Sequence, residues 1–94
     1  MFEKIKDLLP LGSVVELRGA ERRVMITGYF QTQEEDQTDE TIFDYAGIFY
    51  PEGNMMPDMN ILFNHEDILR VDFKGFNDYE RQQFIKNVLM MEEE

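Results

Sequence analysis

The fold is decided by an aromatic stretch, Asp44-Tyr45-Ala46-Gly47-Ile48-Phe49-Tyr50-Pro51-Glu52-Gly53-Asn54. Its aromatic and β-branched residues favour a strand, and Pro51 ends that strand because proline cannot donate a hydrogen bond to a sheet. A second stretch, Leu62-Phe63-Asn64-His65-Glu66-Asp67-Ile68, places a polar turn between two apolar anchors. Asn64 is a candidate N-cap for one helical turn in this segment. The two stretches predict strands that are separated by short turns.

Runs of apolar residues with period two predict the other strands. Strands are expected at residues 14–18, 23–30, 42–50 and 68–73, with a short extended piece at 60–63. Gly28 lies inside the second strand and indicates a bulge or a strong bend. Simple alternation assigns the side chains of this strand to two faces. One face carries Val24, Ile26 and Phe30, and the other carries Met25, Thr27 and Tyr29.

Two helices are expected to flank these strands. Apolar residues at helical spacing predict a short N-terminal helix that ends at Pro10; they are Phe2, Ile5, Leu8 and Leu9. A longer helix follows Gly75, with Asn77 as its predicted N-cap. Its apolar stripe should cover one face of the sheet; the stripe consists of Phe84, Ile85, Val88, Leu89 and Met91.

These elements predict one α+β domain over residues 1–94. Its centre is a small, strongly bent antiparallel sheet of four to five strands, similar to an SH3-like barrel, with the short N-terminal helix and the longer C-terminal helix packed beside it. The chain has 94 residues, of which 43% are hydrophobic. That length and composition suffice for a single core.

The formal net charge is −11, and the chain contains no Cys. Such a charge repels phosphate backbones and anionic lipids, so we expect neither nucleic-acid binding nor membrane binding. The absence of Cys excludes disulfides and fits a reducing compartment. The N-terminus lacks the apolar core of a signal peptide, and no apolar run is long enough to span a bilayer. A soluble, cytoplasmic protein is predicted.

An acidic segment at residues 31–41 contains no apolar residue. It is interpreted as a solvated loop between two strands, with attraction of a basic partner as the alternative. Cation binding is the third interpretation, although the acids do not follow the spacing of a calcium loop. Two further features also have more than one interpretation. The cluster of Met55, Met56 and Met59 either fills gaps in the core or binds a partner. His65 either stabilises its turn, contacts a partner, or serves as a metal ligand or acid–base group.

The residues available for catalysis predict no enzyme. Ser13 is the single Ser and His65 the single His of the chain, and no nucleophile elbow or phosphate-binding loop is present. Twenty Asp and Glu residues make any pair of carboxylates uninformative. We therefore expect a binding protein that uses no metal and no cofactor.

Five segments in this order resemble a known family, domain-of-unknown-function family 4176 (DUF4176). They are Leu11-Gly12-Ser13-Val14-Val15-Glu16-Leu17, Arg23-Val24-Met25-Ile26-Thr27-Gly28, the aromatic stretch from Asp44 to Asn54, the turn segment from Leu62 to Ile68, and Val71-Asp72-Phe73-Lys74-Gly75-Phe76. The similarity extends from about Leu9 to Ile85. The sequence departs from the family pattern mainly in the acidic loop and at Met55-Met56, where Gly or Leu is commoner.

The resemblance implies an association with the type VIIb secretion system of Gram-positive bacteria. Members of this family are small cytoplasmic proteins encoded beside toxins that carry an N-terminal LXG domain. The implied function is that of a dedicated chaperone or adaptor, which binds the LXG toxin effector before export. The alternative is an immunity protein that neutralises the cognate toxin. No oligomeric state follows from the sequence.

The candidate partner-binding residues cluster around the two turns of the central stretches. Aromatic and Met side chains in loops are suitable anchors for a protein partner, and the acidic loop would steer association. The predicted set is Tyr45, Tyr50, Glu52, Met55, Met56, Phe63 and His65.

Overall fold

The computed structural model describes residues 7–32, 42–55 and 59–92. These residues form a five-stranded antiparallel sheet and a C-terminal helix, so the α+β prediction is confirmed. The strands are β1 (Val14–Leu17), β2 (Arg23–Gln31), β3 (Phe43–Tyr50), β4 (Ile61–Phe63) and β5 (Ile68–Phe73). The helix α1 spans Tyr79–Glu92, and a single turn of 3₁₀ helix, His65–Asp67, precedes β5.

The strand order across the sheet is β4-β3-β2-β1-β5. Within the described ranges, no hydrogen-bonded ladder joins β4 to β5, so the closed SH3-like barrel is not found. The two edge strands differ in their pairing. β4 has three residues paired with β3, whereas β5 pairs along the whole of β1. Of the predicted acidic loop between β2 and β3, residues 33–41 lie outside the described residues.

Gly28 marks a bulge, as predicted. Ile26 pairs with Gly47 and Gly28 pairs with Ala46, so the register between β2 and β3 shifts at this point. The extra residue brings Tyr29 opposite Tyr45, and residues that are directly opposite each other share a face of the sheet. The assignment of Tyr29 to the face away from Val24 and Ile26 is therefore wrong, because alternation holds only up to the bulge.

The core lies on one face of the sheet, called here the inner face. Its buried members are Leu8, Leu9, Val15, Leu17, Val24, Ile26, Tyr45 and Phe63. The helix α1 packs on the same face, where Phe84 stacks on Tyr29 with ring centroids 6.0 Å apart and Ile85 contacts the core. The predicted stripe thus covers the sheet through these two residues. The side chains of Leu89 and Met91 lie outside the described part of the chain.

The predicted N-terminal helix is not found where the chain is described. Residues 2–6 lie outside the described residues, and the segment from Asp7 to Pro10 is a turn followed by irregular chain. The backbone polar groups of this segment form hydrogen bonds with side chains of other elements. Leu9 N–H donates to the Tyr45 hydroxyl over 3.1 Å, and Leu9 C=O accepts from the Tyr29 hydroxyl over 2.6 Å. The carbonyl of Leu8 accepts from the Arg81 guanidinium of α1. These long-range contacts replace the local hydrogen bonds of a helix.

The N-cap of α1 is Asp78 rather than the predicted Asn77. The Asp78 carboxylate accepts a hydrogen bond from Arg81 N–H at 3.0 Å, which is the geometry of a side-chain cap. Asn77 instead accepts from the Arg81 side chain. No helix in the described residues is both long enough and apolar enough to cross a membrane.

Candidate protein-binding surface

Two residues of the predicted binding set lie in the core. Tyr45 is 0% exposed and Phe63 is 3% exposed, and their rings stack with centroids 5.3 Å apart. Burial raises the pKa of Tyr45 to about 12. A partner cannot contact either ring while the sheet is intact. Both aromatic side chains therefore stabilise the fold rather than line its surface.

His65 joins the 3₁₀ turn to β3. Its Nδ1 lies 2.8 Å from the Tyr45 hydroxyl, and its backbone N–H donates to the Asp44 carboxylate over 2.9 Å. Asn64 and Asp67 complete the predicted cap, because Asn64 N–H donates to Asp67 Oδ2 at 2.9 Å within a capping box. The half-buried imidazole thus takes part in the hydrogen bonds that hold this turn against the sheet.

The other members of the predicted set lie around the end of β3. Tyr50 is 40% exposed and Met55 is 74% exposed. Glu52 is exposed and forms an ion pair with Arg22 of the β1–β2 turn. Met56 lies outside the described residues. Three predicted residues therefore remain on the surface, at the end of the sheet where the β1–β2 turn also lies.

The register of the strands places Tyr50 in a row of polar side chains on the outer face, the face opposite the core. Tyr50 is opposite Arg23, Arg23 is opposite Glu16, and Glu16 is opposite Arg70. The Arg23 guanidinium lies over the Tyr50 ring, 5.2 Å from its centroid. Arg70 forms ion pairs with Glu16 and with Asp72, and its Nε lies 2.9 Å from Asp72 Oδ1. These two carboxylates raise the pKa of Arg70 through hydrogen bonds, with that of Asp72 as the larger effect.

A row of apolar side chains runs beside this polar row. The same register aligns Ile48, Met25, Val14 and Phe73 across four strands. Val14 and Ile48 are buried, whereas Phe73 at the edge of the sheet is 61% exposed. The outer face therefore offers apolar area next to charged groups, an arrangement that is typical of protein interfaces.

Two grooves meet along these rows. A polar groove of about 500 Å³ lies toward the β1–β2 turn, and a more apolar groove of about 410 Å³ contains Met25 and Phe73. Arg23, Tyr50 and Asp72 line both grooves. The Tyr50–Arg23 pair therefore forms the wall between a polar and an apolar recess.

Sequence reasoning did not identify Arg23 and Phe73 as part of this surface. Arg23 is adjacent to Tyr50 only because β2 pairs with β3 in one particular register. Simple alternation along residues 68–73 would place Leu69, Val71 and Phe73 on one face, but a register shift brings Val71 opposite Val15 and Phe73 opposite Val14. Val14 and Val15 point to opposite faces, so Val71 and Phe73 do as well. The position of β1 between β2 and β5 in the sheet cannot be predicted from local sequence patterns.

A separate apolar groove of about 460 Å³ lies between β2 and the start of α1. The exposed Phe76 and the stacked pair Tyr29 and Phe84 line it. Burial raises the pKa of Tyr29, whose hydroxyl bonds to Leu9 C=O. This groove contains none of the predicted binding residues.

The groups on these surfaces are suited to contact with a protein partner. In the part of the chain that the structure describes, no three His, Asp or Glu side chains are placed to hold a metal ion. The groups around Tyr50 are aromatic rings, a thioether, guanidinium groups and carboxylates. Such groups bind other proteins through apolar packing and charged hydrogen bonds.

Comparison with known proteins identifies a family for most of the chain. The family model described as Domain of unknown function (DUF4176) matches residues 8–84. No curated protein and no solved structure matches the sequence. Since the family match covers far more than half of the 94 residues, the resemblance seen in the five sequence segments is confirmed and the chain belongs to the DUF4176 family.

Proposed function

We propose that this protein is a non-catalytic binding protein, a cytoplasmic chaperone or adaptor for an LXG toxin effector of the type VIIb secretion system. The toxin as partner is suggested by the family resemblance. The site is suggested by one observation: the exposed Tyr50 ring, covered on one side by Arg23, stands between a polar and an apolar groove on the outer face.

The composition of this surface supports protein binding. Tyr and Arg are the side chains that most often dominate interface energies, because each combines a large contact area with polar groups. Phe73 adds apolar area on one side of Tyr50, and Met55 adds an adaptable side chain near the following turn. Most of the binding energy should therefore come from a few residues around Tyr50.

The overall charge of the protein should affect how fast a partner associates, rather than the contacts that the partner makes at Tyr50. A net charge of −11 creates a long-range field that favours encounter with a partner segment carrying positive charge. Such steering changes the association rate and is screened by salt. Contacts at Tyr50 would instead control the dissociation rate.

The test is co-purification with the toxin encoded beside this protein, divided into its LXG region and its C-terminal domain. Capture by the LXG region is the expected result for a targeting chaperone. Capture by the C-terminal domain together with inhibition of the toxin would favour the immunity protein. If neither half binds, the proposal is wrong.

Variants of the captured protein then test the surface. Tyr50→Ala and Phe73→Ala should each weaken toxin binding by about tenfold or more, because truncating an interface anchor typically costs 1–2 kcal/mol or more. Phe76→Ala is the matched control, since Phe76 is exposed but lies in the groove beside α1. Loss of binding in the Phe76 variant alone would move the site to that groove.

A further inference from the structure

Arg23 differs from the other arginines near the Tyr50 surface in its interactions. Arg22 is paired with Glu52, and Arg70 is paired with Glu16 and Asp72. In the described residues, Arg23 forms no ion pair; its guanidinium lies over the face of the Tyr50 ring, 5.2 Å from the centroid, and its charge also acts on Asp72. Its side chain is exposed on the outer face.

The contact with Tyr50 holds this guanidinium without using its hydrogen-bond donors. An arginine stacked on a ring keeps its N–H groups in the plane of the guanidinium, where they can donate to a carboxylate in bidentate geometry. Lysine cannot reproduce this arrangement, because its ammonium is a compact point charge. The guanidinium of Arg23 thus has donors suited to a planar anion.

Two of the acidic groups near Arg23 are paired with Arg70, and one of them, Asp72, also interacts electrostatically with Arg23. Glu16 is opposite Arg23 on β1, and Asp72 lines both grooves with it, but both carboxylates are paired with Arg70. Glu21 lies at the exposed rim of the polar groove. Arg23 therefore remains the basic group of this surface that has donors to offer a partner.

We propose that this surface recognises a carboxylate next to an apolar side chain in the partner, with the carboxylate held by Arg23. The apolar neighbour enters the groove that contains Met25 and Phe73. The inference deepens the proposed function, because it specifies the chemistry of the partner segment at the same surface. In a protein with a net charge of −11, such a contact against the general field would contribute specificity rather than attraction.

The first experiment compares two neighbouring arginines by calorimetry with the LXG region of the toxin. Arg23→Gln is expected to weaken binding by about tenfold to a hundredfold, and Arg23→Lys should recover only part of the loss. Arg22→Gln is the matched control, since Arg22 lines the same polar groove but is already paired with Glu52. Its affinity should stay within about threefold of the wild type. Equal losses in both variants would overturn the proposal, because they would indicate general charge effects.

Charge reversal tests the contact directly. Arg23→Glu should abolish binding, and replacement of one Asp or Glu of the toxin region by Arg should restore it. Circular dichroism and urea unfolding establish that each variant is folded. If no single replacement of an Asp or Glu of the toxin region by Arg restores binding, Arg23 does not bind a carboxylate of the toxin.

A selection that does not involve the toxin separates this inference from the proposed function. Displayed random peptides are selected on the wild-type protein and counter-selected on Arg23→Gln. The expected sequences carry Asp or Glu beside an apolar residue. Peptides without an acidic residue would overturn the inference whether or not the toxin binds, whereas acidic peptides without toxin binding would overturn only the proposed partner.

Discussion

The Tyr45 hydroxyl lies 2.8 Å from His65 Nδ1 and also accepts the backbone N–H of Leu9 over 3.1 Å. Since the hydroxyl accepts from Leu9, its own proton is free to be donated to the imidazole. One buried side chain of β3 thus connects the N-terminal segment to the 3₁₀ turn. These two parts of the chain are far apart in sequence, so Tyr45 holds both the N-terminal segment and the 3₁₀ turn against the sheet.

Tyr45→Phe should lower the free energy of unfolding by about 1–3 kcal/mol, because it leaves the Leu9 N–H without its acceptor. Urea denaturation measures this change. Tyr50→Phe is the matched control: Tyr50 is exposed, and removal of its hydroxyl should change stability by no more than about 0.5 kcal/mol. Equal effects of the two substitutions would show that the hydroxyl contacts of Tyr45 contribute little.

Stability should also fall in alkaline solution through Tyr45. Burial raises the pKa of this phenol from 10.0 to about 12, so the folded state holds the proton more tightly than the unfolded chain does. The corresponding stabilisation is complete below pH 10 and is lost as the pH rises through 12. It amounts to on the order of 2–3 kcal/mol.

Ultraviolet titration of the wild type and of Tyr45→Phe isolates this group. The difference between the two curves should show a single phenol that ionises near pH 12. A difference curve centred at pH 10 would mean that the Tyr45 ring is accessible to water in solution.

The strands could be predicted because their signals are local. Period-two alternation and the end of a strand at Pro51 located the sheet-forming segments to within a residue or two. Gly28 even indicated the bulge. The consequence of that bulge for Tyr29 could not be predicted, because it depends on where an extra residue is inserted relative to β3.

The N-terminal segment and the surface were harder to predict for a related reason. Leu8 and Leu9 have helical spacing, but their carbonyls accept from Arg81 and Tyr29. Tyr45 and Phe63 looked like surface anchors because they flank turns, although both point inward. In each case the decisive contact joins residues that are distant in sequence.

Gly47 should be intolerant of any side chain. A Cβ at this position would lie 2.6 Å from Val24 Cγ1 and 2.7 Å from the Met25 carbonyl oxygen, too close for either atom. Gly47→Ala is therefore expected to cost about 1–3 kcal/mol or more, since neighbouring strands would have to move. Thermal and urea unfolding check this prediction.

Gly28→Ala provides the comparison on the adjacent strand. A Cβ there would meet the end of the Gln31 side chain at 3.3 Å, which can move aside, and the Ala46 Cβ at 3.8 Å. This variant should lose less stability than Gly47→Ala. The reverse order would mean that the bulge, rather than the close approach of β2 and β3 at Gly47, limits substitution.

Ser13 connects the start of β1 to the segment that leads into α1. Its buried hydroxyl donates to Pro10 C=O over 2.7 Å and accepts from Gly75 N–H over 2.9 Å. Ser13→Ala should cost about 1–3 kcal/mol, because the Gly75 N–H loses its acceptor. Hydrogen exchange of the Gly75 amide should accelerate in the same variant. Thr27→Ala is the control, since the exposed Thr27 hydroxyl makes only a long contact of 3.4 Å. If Ser13→Ala costs no more than Thr27→Ala and leaves the Gly75 amide protected, the backbone alone positions the chain before α1.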